Sequence, residues 1–219
     1  MDKYNLILKL KHILEYEDMS ELRETIEKLQ DETRKETYST KPTDKKKLAT
    51  IEKVLDKRGY RVFNQAVGLD KRGYTIITDS FFGVLLKDDI LPFPYAFTDD
   101  ATDEQKAMIK DKGLEVKAGT YPSFNNLLPT GEHETVKISC DDIKYADKTT
   151  LKENDGKKVY KIMNDDGTVK VAFDLKYMMY VINIMQLTGD IELEIYGDIK
   201  PIVIRDKENI GIVLPIRIY

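Results

Sequence analysis

The segment VKVAFDLKYMMYVINIMQL, residues 169–187, changes period halfway along. Val169, Val171 and Phe173 alternate with polar or small residues, the period of a strand. From Leu175 onward the apolar positions recur at helical spacing. Asp174 stands at the junction, where its carboxylate can cap a helix N-terminus. Gly189 is placed to stop that helix. The helix is apolar nearly all round: Leu175, Met178, Ile182 and Met185 make one face, and Tyr177, Val181 and Ile184 make another. Such a helix is buried on more than one side. Its methionines read as core filler rather than as a cofactor box. Three strand-like runs follow, IELEIYG, IKPIVIRD and IGIVLPIRIY. In the last, Ile210, Ile212, Leu214, Ile216 and Ile218 alternate and are expected on one face. The order is strand, helix, three strands.

Upstream the same unit begins again. TVKISCDDI reads as a strand feeding a short helix, and KKVYKIM as a strand ending at the turn Asn164-Asp165-Asp166-Gly167. YPSFNNLLPTGEHE, residues 121–134, is extended and loop-like because of Pro122 and Pro129. Residues 88–121 are less regular, with an acidic helix over 99–113 and a strand over 114–118. Before them, Thr43 is expected to cap a helix KKKLATIEKVLDKRG, in which Leu48, Ile51 and Leu55 face a core. RVFNQAVGL, the turn Asp70-Lys71-Arg72-Gly73 and YTIITDSFFGVLL then read as two strands and their connection. Residues 38–44 look like a linker, and residues 1–37 like a solvated helical hairpin, with a partner-binding or oligomerising arm as the alternative. The expected organisation is an N-terminal helical segment over 1–40, a repeat region over 41–128 and a second over 129–219. The fold class is α+β, with antiparallel sheets backed by helices.

Composition narrows the function classes. The 219 residues carry 35 Lys and Arg against 39 Asp and Glu, a net charge of −4. A chain of that balance does not coat nucleic acid with its whole surface, although a local basic face remains open to it. One cysteine, Cys140, rules out an intramolecular disulfide and a Cys-rich metal site. The first 18 residues are broken by Lys9, Lys11 and Glu15, so they form neither a signal peptide nor a membrane span, and a cytoplasmic setting is expected. His12 and His133 have no nucleophile nearby in sequence, and neither a phosphate-cradling glycine loop nor a GxSxG turn occurs. The acid pairs at Asp141-Asp142 and Asp165-Asp166 are explained by a helix start and a turn. No enzyme, cofactor or metal is expected; an enzyme on a mixed α/β scaffold is the least favoured reading.

Three motifs, in order, resemble the β subunit of bacterial DNA polymerase III, the sliding clamp. The first is the C-terminal helix and last strand, through Phe173, Tyr177, Leu214, Pro215 and Arg217. The second is YPSFNNLLP, residues 121–129, which is similar to the family's inter-domain run. The third is IITDSFFGVLL, where Ser80-Phe81-Phe82-Gly83 stands in place of the family's Gly-x-Arg-Leu. The likeness covers about residues 43–87 and 120–219.

The resemblance implies a clamp fold of repeated strand–helix–three-strand units and no catalysis. It implies an apolar groove for peptides of a DNA polymerase or other replication proteins. The groove would be lined by Thr78, Phe81 and Gly83, by Pro122, Asn126 and Leu127, and by Val213, Leu214, Pro215, Ile216 and Arg217. A plain sheet core would use the same apolar strand residues. The resemblance also implies non-sequence-specific contact with duplex DNA, here through Lys45, Lys46, Lys47, Lys53, Lys57 and Arg58. The helix over 175–187 offers only Lys176 for such contact. A ring built from so short a chain needs about three to six copies, a homo-oligomer. The rival reading keeps fold and groove but gives up DNA: a regulator or decoy of replication partners.

Overall fold

The computed structural model describes residues 42–55, 59–87, 89–124, 127–150 and 156–217. The expected hairpin over 1–37 lies outside the described residues, as do the expected site residues Asn126, Lys57 and Arg58 and the last-strand residue Ile218. The chain divides into two compact units, Met1–Lys45 and Lys46–Tyr219, and the second holds the sheets and the core.

Helix α1, Pro42–Val54, places Ile51 and Val54 in the core. It starts ahead of Thr43 rather than after it. RVFNQAVGL splits into a 3-10 turn at Val62–Asn64 and strand β1, Val67–Leu69. YTIITDSFFGVLL is a hairpin rather than one strand: β2 is Tyr74–Thr78 and β3 is Phe82–Lys87. Ser80 makes the turn between them at φ 82°, a left-handed conformation that a non-glycine residue rarely takes. Strand β4, Tyr95–Phe97, lies among the prolines where no strand was expected. Thr102 and Gln105 form a capping box on α2, Asp103–Asp111, and β5 follows at Val116–Thr120.

The C-terminal half follows the expectation closely. Strand β6, Glu134–Ser139, runs into α3, Cys140–Thr149, where Ser139 accepts a hydrogen bond from the Asp141 amide. Strands β7, Val159–Met163, and β8, Val169–Asp174, form a two-stranded sheet. Asp174 caps α4, Leu175–Met185, by accepting from the Lys176 amide. The helix ends at Gln186, in the left-handed region at φ 58°, three residues before the expected Gly189. Strands β9, Asp190–Ile195, β10, Ile202–Asp206, and β11, Asn209–Val213, complete the chain.

Nine strands form one sheet in the order β5-β4-β1-β2-β3-β11-β10-β9-β6. It is antiparallel from β1 through β2 and β3 to β6. At the other end β1 pairs β4 and β4 pairs β5 in parallel, with α2 as the crossover that parallel neighbours require. The β3–β11 seam joins the two halves of the sequence into a single sheet.

Alternation along the strands gives this sheet two apolar faces. Ile77, Val84, Leu86, Ile202, Ile204 and Val213 join the core with Met178, Val181, Ile182 and Met185 of α4. Ile76, Leu85, Val203, Ile210 and Ile212 form a second cluster with Tyr121 and Phe124. Helix α4 lies against β11 because residue 211 has no side chain: a Cβ there would stand 2.4 Å from Val181 Cγ1. Each fully buried aliphatic side chain in these clusters stabilises the fold by about 1.5–3 kcal/mol.

Candidate functional site

The three segments expected to converge do so on the second apolar face. Ile76 and Leu85 come from the β2–β3 hairpin, Tyr121, Phe124 and Leu128 from the proline-bounded segment, and Ile210 and Ile212 from β11. The hairpin turn carries the exposed Phe81, whose carbonyl accepts from the Leu214 amide at 2.9 Å. One residue on, Phe82 pairs with Val213, and Gly83 sits between Thr78 and Ile212 in the ladder.

Two glycines fix how the proline-bounded segment lies. A Cβ on Gly68 would fall 2.4 Å from Tyr121 Cδ1, and one on Gly83 would fall 2.2 Å from Phe124 Cε1. Both rings are buried, and each rests on bare backbone. Gly83 is thus the floor beneath Phe124, and the floor of the expected groove is filled by the chain's own aromatic ring.

The expected lining residues separate into two sets. Phe81, Leu127 and Leu214 are exposed apolar side chains, at 52%, 48% and 38% of their free surface. Pro122, Pro215 and Ile216 are half-buried and Arg217 is exposed. Thr78 is buried: its hydroxyl donates to the Phe82 carbonyl and accepts from the Ser80 amide at 3.2 Å, so it serves the turn. Val213 is fully buried on the helix side of the sheet, away from Phe124. The expected alternation fails there because the ladder ends at Val213; Pro215 bridges to Phe173, and the Ile216 amide donates to the Ala172 carbonyl at 2.7 Å. Ile212, Tyr121 and Phe124 share the second apolar face and were not named as lining residues from sequence. The parity of Ile210 and Ile212 pointed to the first of these; nothing short of the packing pointed to the glycine–ring pairs.

An aromatic group borders the exposed rim. Phe81 stacks on Tyr177 of α4 with centroids 5.3 Å apart, and Phe82 meets Tyr180 edge-on at 5.5 Å. The Lys176 ammonium lies 5.1 Å from the Tyr177 ring centroid and 5.6 Å from that of Tyr180. Burial, with the nearby Asp79 and Asp174 carboxylates, pushes the Tyr177 hydroxyl up to about 12. Burial also raises the Asp79 carboxyl, against the hydrogen bond from the Phe81 amide and the Lys176 charge. Tyr121 is buried: burial raises its pKa, the Thr78 backbone opposes that only in part, and its hydroxyl has no hydrogen-bond partner among the described residues.

The basic face is smaller than the sequence suggested. Lys45, Lys46 and Lys53 of α1 are exposed. Lys47 is mostly buried and bonds the Asp89 carboxylate, so within the second unit it is tied to the segment after β3 rather than facing solvent. Among the described residues no group of His, Cys, Asp and Glu is arranged to hold a metal, and no helix is long and apolar enough to cross a membrane.

No protein-family model matches the sequence, and no curated protein does. Solved structures do match in fold. The DNA polymerase sliding clamp of Bacillus subtilis has a TM-score of 0.51 at 14% identity, over 81% of this chain and 63% of that one. The Helicobacter pylori β clamp bound to a DNA ligase peptide has a TM-score of 0.51 at 12% identity, over 78% and 62%. The DNA polymerase III β subunit of Pseudomonas aeruginosa has a TM-score of 0.51 at 11% identity, over 80% and 65%. The match thus spans a little under two thirds of each of those clamps. With its helix-backed sheets, and with its hairpin, proline-bounded segment and last strand meeting on one face, the chain has the fold of the bacterial DNA polymerase III β sliding clamp.

Proposed function

We propose that the chain is a sliding-clamp-like tether. It performs no reaction; it holds replication proteins, a DNA polymerase among them, by short peptides seated in an apolar cleft. The observation that carries this reading is the convergence of the hairpin, the proline-bounded segment and β11 on the apolar face that holds Phe124, with Phe81, Leu127 and Leu214 exposed on those three segments. An extended peptide with one or two large apolar side chains needs such a surface, backed by a rigid sheet. The DNA ligase peptide on a clamp of similar fold supports the same use here. A fluorescent polymerase-tail peptide should bind saturably to the parent chain and lose at least tenfold in affinity on Leu214→Asp, since burying a carboxylate against an apolar side chain costs more than about 1.4 kcal/mol. Equal affinity for both proteins refutes the cleft.

A second reading has an observation of its own. Lys176 is the only cation of α4 and lies over two tyrosine rings, and Lys47 is tied to Asp89. That leaves Lys45, Lys46 and Lys53 as the described cations of α1 for phosphate contact. On this reading the protein regulates or decoys replication partners without encircling DNA. Duplex binding with a steep salt dependence favours the processivity role, and its absence at low salt favours the second.

A further inference from the structure

Among the described residues, the strand–helix–strand unit β6-α3-β7 is two strands shorter than the β8-α4-β9-β10-β11 unit that follows it. Strand β6 ends the nine-stranded sheet, and among the described residues β7 pairs only with β8. Between β6 and β7 runs a groove of about 490 Å³. Four consecutive residues of each strand line it, Val136–Ser139 and Tyr160–Met163. Consecutive lining residues mean that each wall is a strand edge rather than a sheet face.

The hydrogen-bond parity of β6 follows from its end. The Cys140 amide donates to the Gly189 carbonyl at 2.8 Å, in line with the register Ser139↔Asp190. In an antiparallel ladder bonded pairs alternate. Residues 134, 136 and 138 therefore bond β9, and Thr135 and Lys137 turn their amides and carbonyls toward the free edge of β6, where Lys137 lines the groove. The inner side is apolar: Val136, Ile138, Tyr160 and Ile162 are partly buried side chains packed on the core. The outer rim mixes charges, since Asp142 and Asp190 line the groove beside the strand lysines. Lys137, in an ion pair with Asp190 at 3.3 Å, stands on β6, and Lys161 lines the groove on β7. Acidic β9 presents Asp190, Glu192 and Glu194 along the same register, so charge alternates from strand to strand and the next place in the column calls for an acid.

We propose that the groove receives one extended peptide strand from a partner protein, adding to the β6 edge, with apolar residues facing inward and acidic residues facing Lys137. Main-chain bonds to Thr135 and Lys137 supply affinity, and the alternation supplies selectivity. The proposal rests on sheet topology and does not depend on the cleft around Phe124.

Backbone hydrogen exchange of the full chain tests it, with a capped heptapeptide of alternating Glu and Val as the probe. In the free protein the amides of Val136 and Ile138 should be slow and those of Thr135 and Lys137 fast. Saturating peptide should slow Thr135 and Lys137 by about tenfold or more while leaving the other two unchanged. Lys137→Pro removes an outward N–H and no β9 bond, and should weaken the peptide about tenfold. Should that variant fail to fold, Lys137→Glu keeps the test open: it should weaken the Glu peptide and strengthen a Lys-Val counterpart. Equal binding of both peptides to the parent overturns the charge argument. Thr135 and Lys137 amides protected without peptide, with a doubled mass by light scattering, make the occupant a second copy and overturn the proposal. No protection at saturating peptide leaves Lys137 as a guard against edge pairing and overturns it equally.

Discussion

Replacing Gly83 by alanine should destabilise the protein, and the same change should stabilise it once Phe124 is gone. In the parent, the new Cβ would lie 2.2 Å from Phe124 Cε1 and 2.8 Å from Cζ, far inside the 3.5–4.0 Å or so at which carbons rest. The ring cannot simply lean away, because it packs within the cluster of Ile76, Leu85, Ile210 and Ile212. It must leave its bed, losing about 1.5–3 kcal/mol of burial. Alanine is preferred over glycine in a strand by about 0.5–1 kcal/mol, so the net cost is about 1–2 kcal/mol. Phe124→Ala alone should cost about 3–5 kcal/mol, because it opens a cavity over Gly83. In that background the methyl introduced by Gly83→Ala enters the vacated space, keeps its strand preference and meets no ring. The double variant should then be more stable than Phe124→Ala by about 0.5–1 kcal/mol. Urea unfolding of the four proteins measures all the differences, and equal slopes would confirm that the unfolded states are comparable. A Gly83→Ala effect of one sign in both backgrounds refutes the account of Phe124 as a ring seated on bare backbone.

Other perturbations follow from the same geometry. Tyr121→Phe removes a buried hydroxyl that has no partner among the described residues, so it should be neutral or stabilise by about 1 kcal/mol in thermal or urea unfolding; a loss above that size means the hydroxyl is bonded. Burial holds the Asp79 carboxyl above its ordinary 3.8, so the folded state keeps that proton more tightly than the unfolded chain does. Stability should therefore fall as pH climbs above about 4 through the folded pKa, and Asp79→Asn should flatten that part of the profile; an unchanged profile refutes the shift. Lys47→Met breaks the tie to Asp89 and should cost about 1 kcal/mol of stability without changing any affinity for duplex DNA. Lys46→Glu and Lys53→Glu should do the reverse if α1 meets phosphate, read as a shallower salt dependence of binding.

The C-terminal unit was legible because its signals are local. Asp174 caps the helix it was expected to cap, and Val171 and Phe173 alternate into a buried strand. The bend at Ser80 was hidden because the chain takes a left-handed turn there without a glycine to announce it; the hydrogen bonds to Thr78 and Asp79 hold it instead. Strand β4 was hidden by the prolines around it, since Tyr95 and Phe97 are fixed by pairing with β1 and β5, neither of which is local. The last strand was read too far. Its sequence keeps alternating through Ile218, but the ladder stops at Val213, and Pro215 bridges to Phe173 instead of continuing it. Lys47 looked like one more surface cation because its partner, Asp89, is 42 residues away. The convergence of the three motif segments was legible only through the family resemblance; the glycine–ring contacts on that face are visible in the packing alone.

The most direct test of the cleft is a titration of the full chain with a polymerase-tail peptide, followed by backbone and methyl NMR. The account predicts that Phe81, Leu127, Ile212 and Leu214 shift together, with one dissociation constant, while β6 and β7 stay still. Shifts that spare Leu127 and Leu214, or none at millimolar peptide, would contradict it.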